Sequence, residues 1–227
     1  MSTISIVIPA YKEDFELNKL LNFITKKGSR VNIKEIIVVD FDNSSIVHNQ
    51  PLVQVIQSPK KGRPSQLNFG AQKANGEIIY FLHADSKPPE DFDNLIIDAL
   101  NEDYKAGCFR LAFDTPHPML KFFAWFTRFN INICRGGDQS LFVERECYHE
   151  SGGYNAELSI MEDIEIIRRL RDKTKFVIID RQIITSARKY TMNGYYKLQW
   201  IFFKLYVMYV LGNSQEHMIS YYKKNII

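Results

Sequence analysis

Four clusters of polar residues could do chemistry. His83 and Asp85 directly follow an apolar run, Ile78–Leu82. A carboxylate there offers a hard oxygen to a divalent ion bridging two phosphates, while an imidazole is a softer donor that suits manganese better than magnesium. Lys60, Lys61 and Arg63 surround Gly62 at the start of a helical pattern, where a helix N-terminus adds partial positive charge for phosphate. The spacing is not that of a Walker A loop. Asp40 and Asp42 close the run "IIVVDFD". A strand-end carboxylate can accept from a base imide or a ribose hydroxyl, although Asp is also an ordinary turn residue. Glu162 and Asp163 open the helical pattern "EDIEIIRRLR". Acids in a first turn answer the helix dipole, and one facing a ligand can act as a general base.

The elements that must position these groups follow from hydrophobic period. "ISIVIPA" (4–10), "EIIVVD" (35–40), "LVQVIQS" (52–58) and "EIIYFL" (77–82) are short runs of the kind found in buried strands. Between them, "EDFELNKLLNFITKKG" and "SQLNFGAQKANG" carry helical spacing, ending at Gly28 and Gly76. This order predicts an α/β sheet that is at least partly parallel. Ligands of such sheets sit outside the carboxyl ends of the strands. Pro9–Glu13, Asp40 and His83–Asp85 all fall there.

The second half predicts a strand at 106–115, an aromatic-rich helix over 118–134, and a strand, short helix and Gly-Gly turn over 136–155. It continues with a helix over 161–173, a strand at 175–180, the polar connector "TSAR" and a long apolar helix from about Asn193. No linker divides the chain, so 1–227 is expected to be a single domain. Its divisions are a donor half at about 1–100, an acceptor and catalytic half at about 101–190, and an apolar helical segment at about 191–227.

A net charge of +3 does not call for a nucleic-acid partner. Three widely spaced cysteines without a CxxC pair suit reduced thiols in a cytoplasmic protein. The N-terminal run is broken by Pro9 and reads as a strand instead of a signal peptide. No run reaches the roughly 18–20 apolar residues of a spanning helix.

Five pieces, in order, resemble the inverting family 2 nucleotide-sugar glycosyltransferases of the GT-A fold. They are "SIVIPAYKE", "IIVVDFDNS", "GRPSQLNFGAQKANGEIIYFLHADS", "GDQSLFVERECYHESGGYN" and "MEDIEIIRRLR". "LHAD", "GDQ" and "TSAR" are similar to a small bacterial subfamily, some of whose members carry an arsenosugar-biosynthesis label. The resemblance implies a Rossmann-like, mainly parallel mixed sheet flanked by helices. It implies that Pro9, Tyr11, Glu13 and Asp40 hold the donor's base and ribose, with Arg63 and Asn68 on the nucleotide side. Asp85, matching the second acid of the family's DxD motif, would ligate Mn²⁺ or Mg²⁺. His83 stands where the family usually has an acid, and is expected to hydrogen-bond ribose or a metal-bound water. Asp163, beside Glu162, matches the catalytic base. Asp138 and Gln139 would lie on the acceptor side, and Arg188 would reach the diphosphate.

The expected function is transfer of a sugar from a UDP- or GDP-sugar to a small-molecule or lipid acceptor hydroxyl. One rival is a nucleotidyltransferase, which would need a basic Gly-rich loop where this chain has "PAYKED". The other is a non-catalytic scaffold of the same fold, binding nucleotide without transfer. The aromatic helices fit core packing, a homodimer or peripheral contact with the inner face of a membrane.

Overall fold

The computed structural model describes residues 2–11, 14–42 and 50–226. Strand β1 (Ile4–Ala10) shows why the first half is a sheet buried on both faces. Its alternating side chains divide: Ile4, Ile6 and Ile8 pack with Leu17, Leu21 and Ile24 of helix α1 (Asp14–Lys27). Val7 points the other way, into a cluster with Leu67 and Ala71 of helix α2 (Arg63–Lys73). A strand apolar on both faces needs a helix on each.

Beside β1 lie β2 (Ile33–Asp40) and β4 (Ile78–Phe81), and β3 (Val53–Gln57) flanks β2, all parallel. Gly70 lets α2 lie close on this sheet, since a Cβ there would stand 2.8 Å from Val39 Cγ2. The chain continues through β5 (Ser86–Lys87), α3 (Phe92–Asn101), β6 (Ala106–Phe113) and α4 (Pro118–Trp125). Then come β7 (Leu141–Glu144), α5 (Arg145–Ser151), α6 (Glu162–Lys173) and β8 (Phe176–Thr185). Helices α7 (Arg188–Asn193), α8 (Tyr195–Val210) and α9 (Gln215–Asn225) follow.

Among the described residues the sheet has the order β3-β2-β1-β4-β7-β6-β8-β5. Strand β7 is antiparallel to both β4 and β6, and β6 is parallel to β8. Strands β1 to β4, β6 and β8 therefore all end at one edge. This is the expected mixed, mainly parallel sheet between helices.

Several boundaries differ from expectation. The aromatic stretch 118–134 is not one helix: α4 stops at Trp125, and 3-10 turns follow at Phe126–Arg128 and Asn132–Cys134. The carbonyls that would continue the helix have other donors. Arg135 reaches those of Thr127 and Phe129, and Arg171 that of Asn130. Helix α2 stops at Lys73, three residues before Gly76, because Asn75 N and Gly76 N turn to Glu35 Oε1 (2.7 Å) and Ser5 Oγ (2.8 Å). Helices α3, α7 and α9 and the short β5 are not expected from the sequence, and β8 runs on to Thr185, past the expected end at 180.

Candidate active site

The carboxyl edge is assembled first by Gln66. From the first turns of α2 its Nε2 donates to Ala10 O (3.0 Å) and Val39 O (2.8 Å), pinning the ends of β1 and β2 together. In register, Pro9 lies beside Val39, and Ala10 beside Asp40. Asp40 is only 1% exposed, and its Oδ1 accepts from Asp42 N at 3.3 Å. Tyr11 projects from the end of β1 and is exposed. Glu13 lies outside the described residues.

The second group comes together across long sequence distances. Met161, at φ 70°, turns the chain so that α6 begins with Glu162 and Asp163 pointing inward, 2% and 6% exposed. The helix dipole alone would favour these acids on a surface. Buried, they need a counter-charge, and Arg63 from the start of α2 supplies it. Its Nε donates to Glu162 Oε1 at 2.7 Å and its Nη2 to Asp163 Oδ2 at 2.5 Å. Burial works against the guanidinium's charge, but the two carboxylates more than offset it and raise its pKa. Burial also raises the carboxyl of Glu162; Arg63 opposes this and Asp163 adds to it. Tyr154, buried nearby, is pushed up by burial and by the charge of Asp163.

Gly137 joins this pair to the end of β4. A Cβ there would stand 2.6 Å from His83 Cε1 and 2.7 Å from the carboxyl carbon of Asp163. His83 Nδ1 lies 3.5 Å from Asp138 Oδ1. Burial would raise the Asp138 carboxyl, yet His83, Lys189 and Arg63 outweigh it and hold the pKa below the usual value. Six residues from four segments thus converge: Arg63, His83, Gly137, Asp138, Glu162 and Asp163.

The other expected residues have the following surroundings. The Asn68 amide is engaged by the Gly-Gly turn: its Oδ1 accepts from Tyr148 Oη (2.6 Å) and Tyr154 N (2.9 Å), and its Nδ2 donates to Tyr154 O (2.7 Å). Gln139 is buried, with neither amide atom paired to a described residue. Arg188 begins α7 and is exposed; the next residue, Lys189, is the one whose charge reaches Asp138. Sequence reasoning missed Gly137, although it opens the "GDQ" motif, and Lys189, which directly follows "TSAR". Cavities of about 280 and 290 Å³ lie away from this group, one beside Gly28 and Leu52 and one beside Arg110 and Asp180.

Asp85 follows β4, partly buried, with Ser86 Oγ 3.5 Å from its Oδ1. Among the described residues, no three of His, Cys, Asp and Glu form a cage that could hold a metal. A cation carried in with a diphosphate needs no cage, since Mg²⁺ is usually held by one or two carboxylates plus phosphate oxygens and waters. A lone carboxylate such as that of Asp85 fits the ligand needs of that kind of ion.

The family profile described as Glycosyl transferase family 2 matches residues 5–143. No curated protein matches the chain in sequence. Solved structures share its fold. A mannosyltransferase from Pyrobaculum calidifontis, in complex with GDP-Man and Mn²⁺, aligns at TM-score 0.68 and 15% identity, covering 91% of this chain and 62% of that one. TarS from S. aureus aligns at 0.64 and 14%, covering 82% and 61%. GalNAc-T7 with UDP, GalNAc and Mn²⁺ aligns at 0.63 and 16%, covering 82% and 44%. The chain therefore spans about half to three fifths of the length of these structures. With its family profile covering more than half the sequence and its mixed sheet matching theirs, the chain belongs to glycosyl transferase family 2 and has the GT-A fold.

Proposed function

We propose that this chain, a single glycosyltransferase domain, moves a sugar from a nucleoside-diphosphate donor to an acceptor hydroxyl with inversion. The observation that carries this reading is the pair Glu162–Asp163, buried and turned toward the end of β4 beside His83 and Gly137. A carboxylate has been brought to the edge where α/β sheets bind ligands. The structural neighbours' nucleotide ligands, UDP and GDP-Man, support a donor of the UDP- or GDP-sugar class.

The donor's nucleoside would lie over Pro9, Tyr11 and Asp40, and its diphosphate toward Asp85 and Arg188. Asp138 and Gln139 would face the acceptor. Asp163 takes the proton of the acceptor hydroxyl as its oxygen bonds to the anomeric carbon. The bond from that carbon to the diphosphate oxygen breaks on the opposite face, and its electron pair leaves with the nucleotide. One base suffices, unlike the two carboxyl groups of a retaining hydrolase. A divalent cation at Asp85, when bound, supplies charge neutralisation for the departing diphosphate. Arg63 holds Glu162 and Asp163 in place, so the base need not reorganise when the acceptor arrives.

A thermal-shift screen of UDP-, GDP- and other nucleotide sugars, with and without Mn²⁺, tests the reading. A ligand at 100 times its Kd stabilises the fold by about 2.7 kcal/mol, so the right donor should raise the Tm by several degrees in the presence of the ion. A flat response to every nucleotide would sink it.

A further inference from the structure

We propose that the joined outer faces of α4 and α8 are a docking surface for an anionic lipid bilayer, an interaction that goes beyond sugar transfer. Both tryptophans of the chain lie here, Trp125 at 47% exposed and Trp200 at 64%, together with Phe122 at 59% and Tyr196 at 75%. On α8, Tyr196, Trp200 and Phe203 recur at i, i+4 and i+7, so they form one stripe. On the α4 side, Phe122, Trp125, Phe126 and Phe129 pack ring against ring at 5.0–6.2 Å. The two faces meet where His117 stacks on Tyr195 at 3.8 Å, above a shared cluster containing Leu120 and Leu198.

Charge selects the occupant. Residues 115–137 and 181–215 contain eight Lys and Arg and no acid, so all 26 Asp and Glu of the chain lie outside them. Seven of those eight cations are exposed; the eighth, Arg135, is buried. Exposed Trp, Tyr and Phe interleaved with exposed Lys and Arg match the headgroup region of an anionic membrane, where aromatic rings sit at the boundary and basic residues meet phosphate. An interface between two copies of this chain would bring like charges together. No described helix is long and apolar enough to cross a membrane, so the contact is peripheral. The surface also adjoins the acceptor side: Tyr190 of α7 packs in the Leu120–Leu198 cluster, and Lys189 beside it reaches Asp138 electrostatically.

The test uses the whole chain without nucleotide, so its outcome is independent of donor binding. Because both tryptophans are on the proposed surface, their emission reports docking directly. With vesicles of phosphatidylcholine containing about a third phosphatidylglycerol, emission should shift to the blue and the protein should pellet. Pure phosphatidylcholine should give little of either, and 0.5 M salt should reverse binding. Lys121→Ala and Lys197→Ala should each weaken binding about five-fold, and Trp200→Ser more, with unchanged melting because these side chains are exposed. Three outcomes would overturn the proposal. They are no pelleting with either vesicle, equal pelleting with both, or a lipid-free dimer in sedimentation velocity that Trp200→Ser converts to monomer.

Discussion

Arg63 Nη2 stands 2.5 Å from Asp163 Oδ2, joining the first turn of α2 to the first turn of α6 across 100 residues of sequence. The same guanidinium holds Glu162 through its Nε. Two buried carboxylates on consecutive residues would repel, and one cation between them makes their burial tolerable. Arg63 is thus a positioning residue for the proposed base.

Asp163→Asn keeps the shape of the site and removes the proton acceptor. Its kcat should fall by about 10²–10⁴-fold, the range of a general base. Nucleotide affinity should stay within a few-fold of wild type, as titration calorimetry would show. Near-normal transfer by this variant would remove Asp163 from the role.

Gly137→Ala should separate activity from stability. The φ of Gly137 lies outside the left-handed region, so the backbone accepts alanine. The new methyl must instead displace His83 or Asp163, whose atoms it would meet at 2.6 and 2.7 Å. Overpacking of this kind costs about 1–3 kcal/mol of stability, while a shift of about 1 Å in a reacting group costs about 100-fold in rate. Urea denaturation and steady-state kinetics on one preparation would compare the two. A fully active Gly137→Ala enzyme would show that the neighbours yield without consequence.

Asp85→Ala should abolish the dependence of nucleotide binding on Mn²⁺. Wild-type protein treated with a chelator should resemble the variant, and added metal should restore only the wild type. If the variant retained the metal effect, the ion would have to be held by other groups.

Glu162 gives a pH dependence whose sign follows from its raised pKa, caused first by burial. The folded state binds this proton more tightly than the unfolded chain does. Its favourable contribution is therefore complete below the unfolded value of 4.5 and is lost as pH rises through the folded value. Glu162→Gln is permanently uncharged and escapes that loss. The stability of the variant relative to wild type should rise from pH 4.5 toward 7 in chemical denaturation. A difference independent of pH would contradict the raised value.

Much of this protein can be read from residue order. The β-branched runs of β1, β2 and β4 place Pro9, Asp40 and His83 at strand ends because a strand's period and its flanking turns are local properties. Parallel pairing follows from the intervening helices, so the ligand edge is legible before any contact is known. The aromatic stretch 118–134 reads as one helix because its period continues past Trp125, whereas its carbonyls are captured by Arg135, which directly follows the stretch, and by Arg171 of α6. Arg63 was read for phosphate, and only the fold shows its carboxylate partners, since nothing local links residues a hundred positions apart. Gly137 was passed over because its value lies in the side chain it lacks, between two groups brought there by different elements. The sequence by itself determined which strands exist and which polar groups end them. The tertiary structure alone decided which of those groups touch, because contact between distant segments is set by packing, and packing has no local signature.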